Sequence, residues 1–212
     1  MLELKPALIG RRDNRPPGPG DPRQARRALH GIAGASILEH AGKQRFQALL
    51  RGAAVLGGEL NADAGRALVT ACREACGDRL LKVILETGEL EEPALIRQAA
   101  DIALACGADF LKTSTGKEAV NATLPVALVM LRAIREHQQR SGHLAGFKPA
   151  GGIRTAKESI TFLMLVKEEL GLESMRPDRF RIGASSLLAD IERQLEFHAT
   201  GRYSAHHRHP MG

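Results

Sequence analysis

The sequence predicts an α/β fold in which a parallel sheet is assembled from repeated βα units. Three observations carry this reading. From about residue 60 onward, short apolar runs alternate with longer amphipathic segments. The longer segments space their apolar residues three and four apart, the period of a helix with one buried face. Helix-start and helix-stop residues stand at the junctions. Four such units are half of an eight-stranded parallel barrel, which usually takes about 250 residues, with about 200 near the lower limit. The 212-residue chain therefore reads as a barrel incomplete at its N-terminal side.

In chain order, strands are expected at residues 82–86 (KVILE), 109–114 (DFLKTS), 146–149 (GFKP) and 180–183 (FRIG). Helices are expected at 62–77, 93–106, 124–140, 156–170 and 186–198, each several turns long. Pro93 suits a first helical turn, Gly107 lies just past a helix end, and Thr155 with Glu158 makes a capping box in TAKE. Residues 1–55 differ. They hold five of the ten prolines and the turn-rich run RRDNRPPGPGDPRQARR, and they read as a disordered leader or as an aberrant segment, fused or translated in the wrong frame. One further strand is expected in RFQALL, residues 45–50. The division is thus 1–55 as a basic Pro/Arg-rich segment, 56–198 as the barrel portion, and 199–212 as a tail.

Charge follows the same division. The net charge is +6, and residues 1–55 account for it with 10 Lys or Arg against 4 Asp or Glu, leaving 20 against 20 in the rest. A basic arm can attract nucleic acid or an anionic membrane, but with 3% aromatic residues and no Trp the chain is poorly supplied with base-stacking surfaces. A solvated leader is the expectation. Cys72, Cys76 and Cys106 form neither an even disulfide set nor a Cys-x2-Cys pair; they read as reduced core thiols. His198, His206, His207 and His209 lack an acidic or cysteine partner at ligand spacing, so no metal is expected. No apolar run approaches the roughly 18 residues of a membrane helix, and the first 30 residues lack a signal-peptide pattern. The expected location is the cytoplasm.

Three lysines carry the chemistry. Lys82, Lys112 and Lys148 fall on consecutive expected strands, whose neighbours lie about 4.8 Å apart in a sheet. Facing one side, each ammonium disfavours a second positive charge nearby and lowers its neighbour's pKa. A lysine made neutral in this way is a nucleophile toward carbonyls. The plain alternative is that these lysines point outward or cap strand ends. Spacing alone does not choose, but Lys112 in DFLKTSTGK and Lys148 in GFKPAGGIRT each precede a Gly- or hydroxyl-rich turn, and in parallel barrels such turns build the active face.

Those turns suit a phosphate. Gly116 and Lys117, then Gly151, Gly152 and Arg154, then Gly183, Ser185 and Ser186 follow successive strands, and the last group opens a helix. Glycine allows close backbone approach, and a helix N-terminus offers free N–H groups to an anion. Surface exposure of Arg154 and simple helix capping by the serines are the plain alternatives.

The runs KVILETGEL, DFLKTSTGKEAVNAT, GFKPAGGIRTAKES and FRIGASSLLADIERQ, in this order, resemble the motifs of the deoxyribose-phosphate aldolases, and the tail DIERQLEFHATGRYSAHHRHPM is similar to that of their longer, animal-like branch. The match covers roughly residues 60–212. It implies a TIM-type (β/α)8 barrel that reversibly cleaves 2-deoxy-D-ribose 5-phosphate to D-glyceraldehyde 3-phosphate and acetaldehyde through a lysine Schiff base, with no cofactor. By the same resemblance Lys112 is the nucleophile, Lys148 the neighbouring cation that depresses its pKa, and Lys82 a further active-site lysine. The phosphate falls to Gly116, Lys117, Gly151, Gly152, Arg154, Gly183, Ser185 and Ser186. Family members carry a proton-moving aspartate on the preceding strand; here a rough register puts Gln47 at that position, and an amide is no general acid or base. Two functions follow as expectations: an aldolase in which water or Glu86 replaces the aspartate, and a remnant that binds a sugar phosphate or a protein partner without turnover. An open parallel sheet also invites pairing with another chain, so the expected partners are a sugar phosphate and a second copy of the chain, with no nucleic acid and no membrane.

Overall fold

The computed structural model describes residues 59–116 and 122–204, preceded by the strand segments 35–40, 43–49 and 55–56. Strands β1 (Ala35–His40) and β2 (Lys43–Leu49) pair antiparallel, with His40 opposite Lys43. Strands β3 (Val55–Leu56) and β4 (Glu59–Leu60) make a separate two-stranded ladder. After them come helix α1 (Ala62–Cys76), strand β5 (Leu81–Ile84), the single turn α2 (Thr87–Leu90) and helix α3 (Pro93–Ala105). Strand β6 (Phe110–Lys112), helix α4 (Leu124–Ser141), strand β7 (Gly146–Lys148), helix α5 (Ala156–Leu170), a 3-10 turn at Leu172–Met175 and helix α6 (Leu187–Thr200) complete the chain order.

The main sheet runs β1-β2-β5-β6-β7, parallel from β2 to β7, with helices as crossovers. This is the βα repeat of a TIM-type barrel, and among the described residues the sheet does not close. The strand expected in RFQALL is β2, in parallel register with β5. Its hairpin partner β1 lies inside the segment whose composition points to irregular structure, as does β2.

The strand expected at 180–183 is corrected. It forms only two isolated parallel bridges to β7, Phe147 to Phe180 and Ala150 to Gly183. The reason is local. Arg181 N donates to Phe147 O (3.1 Å) and Gly183 N to Pro149 O (2.8 Å), but Pro149 has no N–H to return a bond between them.

Local signals place the helix ends. The Asn61 side chain accepts from Ala64 N (3.0 Å) at the start of α1, Pro93 opens α3, and Thr155 and Glu158 close a reciprocal capping box on α5. Strand side chains then alternate between two faces. Val83, Leu85, Leu111 and Phe147 pack into the helix-facing core with Val69, Cys72, Ala100, Leu104, Met130, Ile134 and Phe162. Each fully buried side chain of this size contributes roughly 1.5–3 kcal/mol. Lys82, Ile84, Phe110, Lys112 and Lys148 share the other face by register.

Two polar devices brace the frame. Arg73 on α1 donates to the carbonyls of Gly107 (3.0 Å), Gly77 (2.6 Å) and Arg79 and to Asp109 Oδ2 (2.8 Å), which also accepts from Leu81 N (2.7 Å). This staple holds the N-terminal ends of β5 and β6, the end opposite the glycine-rich turns. Ion pairs Arg97–Asp101, Arg97–Glu136 and Arg135–Glu169 link α3, α4 and α5. No described helix is long and apolar enough to cross a membrane.

Candidate active site

Lys112 ends β6 and Lys148 ends β7, and the two are direct register partners. Parallel pairing puts their side chains on one face, about 4.8 Å apart at the backbone. Lys112 is half-buried, and its amine is held below the ordinary lysine value, first by burial and then by the charge of Lys148, while the carboxylate of Glu86 pulls in the opposite direction. The crowding that spacing alone left open is thus realised for this pair. Lys82 lies on the same face but deeper. It is 7% exposed and sits two residues before Ile84, the register partner of Lys112, hence about 6.6 Å further down the strand. Its backbone pairs with Gln47 on β2; the Gln47 side chain lies outside the described part of the structure.

Above the lysines opens a cleft of about 490 Å³ lined by Lys112, Thr115, Gly116, Ala150, Gly151, Gly152, Ile153, Arg154, Gly183, Ala184, Ser185 and Ser186. Every residue expected to hold phosphate lines it except Lys117, which lies outside the described residues. The sequence brings these turns together because each follows a strand of the same parallel sheet, and parallel strands end on one side. Gly151 and Gly152 both take φ of 96°, a left-handed backbone that residues with a Cβ avoid. At Gly183 the requirement is space, since a Cβ would lie 2.7 Å from Ala150 Cβ and 3.3 Å from Lys148 Cε.

The serine turn departs from simple capping. Ser186 is the N-cap residue of α6, yet its side chain makes no capping hydrogen bond. Ser186 lines the cleft at the start of this 14-residue helix, the end of a helix whose first N–H groups favour an anion. The Arg154 backbone N–H donates to Glu158 (2.8 Å), which anchors the turn while its side chain lines the cleft.

Hydroxyl residues of DFLKTST, whose role sequence reasoning missed, lace the turns together. Thr113 Oγ1 donates to Ala150 O (2.7 Å) and accepts from Ala150 N (2.8 Å); Ser114 Oγ donates to the same carbonyl (2.7 Å) and accepts from Gly116 N (3.2 Å). Their only signal in the sequence was the hydroxyl run itself. Thr115 Oγ1 is buried at the cleft without a hydrogen-bond partner among the described residues, and Glu86 accepts the Thr115 N–H on both carboxylate oxygens (3.1 Å each). The ensemble is a partly desolvated amine beside a second cation, next to a cradle of backbone N–H, hydroxyl and guanidinium groups. Chemically it can add an amine to a carbonyl compound whose anionic end is held nearby.

Comparisons with known proteins place the chain among aldolases. Residues 49–192 match the family described as DeoC/LacD family aldolase. The chain is 62% identical over 143 residues to a deoxyribose-phosphate aldolase of Mus musculus, covering 68% of this chain and 45% of that protein. It is 61% identical over 139 residues to one of Bos taurus and 60% identical over 139 residues to one of Homo sapiens, covering 66% of this chain and 44% of each relative. The chain thus spans less than half the length of these relatives. Two crystal structures from Toxoplasma gondii ME49, designated deoxyribose-phosphate aldolase, superpose with TM-scores of 0.59 and 0.58 at 30% and 32% identity, over 66% and 67% of this chain and 54% of each of theirs. By sequence, the chain belongs to the DeoC/LacD family of aldolases.

Proposed function

We propose that this chain cleaves 2-deoxy-D-ribose 5-phosphate reversibly through a Schiff base on Lys112, with the phosphate held by Gly116, Lys117, Gly151, Gly152, Arg154, Gly183, Ser185 and Ser186. The observation that carries the proposal is Lys112 itself: a half-buried amine whose pKa is lowered by burial and by Lys148, lining a cleft whose other walls are glycine- and serine-rich turns. The neutral amine attacks the aldehyde carbon of the open-chain sugar, and loss of water leaves an iminium. The C2–C3 bond then breaks, its electrons entering the iminium to give an enamine, while the C3 hydroxyl proton passes to a base in the cleft. D-Glyceraldehyde 3-phosphate leaves, and protonation and hydrolysis of the enamine release acetaldehyde and restore Lys112. Burial and then the charge of Lys148 favour the unprotonated form of Lys112, and Lys82 stands one layer below on β5.

A second reading has its own support. Gln47, opposite Lys82 in the register, has an amide that cannot move a proton, and general acid–base catalysis typically supplies about 100-fold to 10,000-fold in rate. A chain that forms the Schiff base without turnover fits that residue. One experiment separates the readings. The full chain is incubated with 2-deoxy-D-ribose 5-phosphate, reduced with borohydride and mapped by peptide mass, and acetaldehyde release is measured in parallel. An adduct on Lys112 with acetaldehyde release supports the aldolase; an adduct without release, or no adduct in a folded sample, overturns it in favour of the remnant that binds without turnover.

A further inference from the structure

Glu86 is an odd residue for its position. It follows β5 with a left-handed backbone (φ 57°) although it is not glycine, and its side chain is 1% exposed. A buried carboxylate is costly unless it is paired or hydrogen-bonded, and a left-handed non-glycine residue is itself unfavourable. Neither is needed to end a strand or begin α2, which receives no capping bond from this side chain. Costs that serve no local purpose mark a functional constraint.

The side chain reaches a turn 29 residues away. Both carboxylate oxygens accept the Thr115 N–H at 3.1 Å, and Thr115 and Gly116 line the cleft. Backbone bonds flank this contact on the same seam: Leu85 N donates to Lys112 O and Thr87 N to Thr113 O, each at 3.0 Å. Thr113 and Ser114 carry the connection on to Ala150. Glu86 therefore stands where the loops after β5, β6 and β7 meet.

We propose that Glu86 is a positioning residue of this site: its carboxylate clamps the turn after β6 and supplies the negative charge that balances the Lys112–Lys148 pair. The inference rests on the Schiff-base reading above and adds a residue to it. Lys112 lines the cleft from β6, Lys148 is its register partner on β7, Lys82 lies one layer below on β5, and Arg154 stands on the turn after β7. Among the described residues, Glu86 is the carboxylate that acts on Lys112, favouring its protonated form against burial and Lys148. Without it the Lys112–Lys148 pair would lose the carboxylate that acts on it. The amine would lose its proton at lower pH, and the cradle would lose its hold on the Thr115 N–H.

The test is the pH dependence of Lys112 labelling. Full-length wild type, Glu86→Gln, Glu86→Asp and Lys148→Met are treated with 2-deoxy-D-ribose 5-phosphate and cyanoborohydride across a pH series, and the Lys112 adduct is quantified by peptide mass. Removing the negative charge in Glu86→Gln moves the acid limb of labelling to lower pH, and removing the like charge in Lys148→Met moves it to higher pH. Glu86→Asp, which keeps the charge, stays nearer the wild-type limb than Glu86→Gln does. A merely structural glutamate would lower the amount of folded protein without moving the limb. An unmoved limb in folded Glu86→Gln overturns the inference while leaving the aldolase reading standing; no Lys112 adduct in wild type overturns both. Where circular dichroism shows Glu86→Gln unfolded, inorganic phosphate titration of Glu86→Asp decides. Binding several-fold weaker than wild type supports the clamp, and unchanged binding overturns it.

Discussion

Replacing Gly183 by alanine tests the close packing that places Lys148. The added Cβ would stand 2.7 Å from Ala150 Cβ and 3.3 Å from Lys148 Cε, whereas carbon atoms rest about 3.5–4.0 Å apart. Roughly 1 Å must therefore open between the segment at 183 and β7. Lys148 can swing its flexible end away. Ala150 cannot yield alone, because it is 3% exposed and its backbone is bound on both sides by Thr113 and by Ser114. Overpacking of this kind costs about 1–3 kcal/mol, and a misplacement of about 1 Å near reacting groups can lower a rate on the order of 100-fold. Urea denaturation followed by circular dichroism reads the first quantity, and the rate of Lys112 labelling reads the second. Gly142 provides the control. It caps α4 at φ 74° with no atom near an added Cβ, so Gly142→Ala costs about 1–2 kcal/mol of backbone strain and leaves the labelling rate alone. A Gly183→Ala protein as stable as wild type and labelled at the same rate would refute the packing argument.

Three further outcomes follow. Arg73→Ala removes the staple that satisfies three carbonyls and Asp109; because the pair is partly exposed, its ionic part is small, and the loss is about 2–3 kcal/mol from unsatisfied partners. Chemical denaturation checks it, and Lys112 labelling per folded molecule stays constant because the staple lies at the other end of the strands. Thr113→Val removes the two bonds that Thr113 Oγ1 makes to the Ala150 backbone, leaving the Ala150 N–H without its partner while Ser114 Oγ still serves the carbonyl, and costs about 1–3 kcal/mol with slower labelling, while Thr113→Ser restores both; equal stability of the valine and serine variants would contradict this. Burial pushes the Cys72 thiol up to about 11 and the Cys76 thiol to about 12. Near pH 8 a disulfide reagent in excess therefore modifies the half-buried Cys106 first, and Cys72 and Cys76 react at comparable rates only after denaturation; rapid titration of all three thiols in the native protein would be inconsistent with this core.

The βα order, the helices and the turn chemistry were legible in the sequence because they depend on contacts within a few residues. Apolar spacing of three and four marks helix faces, and Thr155, Glu158, Pro93 and Gly107 mark ends through bonds that reach no further than one turn. Expected and observed helices accordingly differ by no more than two residues at either end. The glycine- and serine-rich turns that line the cleft were legible too, since glycine and serine after each strand need no knowledge of their neighbours, and parallel topology brings strand ends to one side. Local pattern misled at residues 180–183, where the apolar run is strand-like but a proline on the neighbouring chain segment breaks the ladder. It was silent on β1, whose partner is the hairpin strand β2 and whose surroundings look irregular.

Only the tertiary structure decided which lysines meet. The pairing of Lys112 with Lys148 and the deeper place of Lys82 depend on strand register, and register is a relation between segments about 30 residues apart. The same holds for Glu86 and Thr115, and for Thr113 and Ala150, whose partners no spacing rule selects. Sequence chemistry thus determined which groups are available and on which turns they stand. Long-range pairing determined how deeply each is buried and which charge stands beside it, because burial and Coulomb interaction are properties of distance in space.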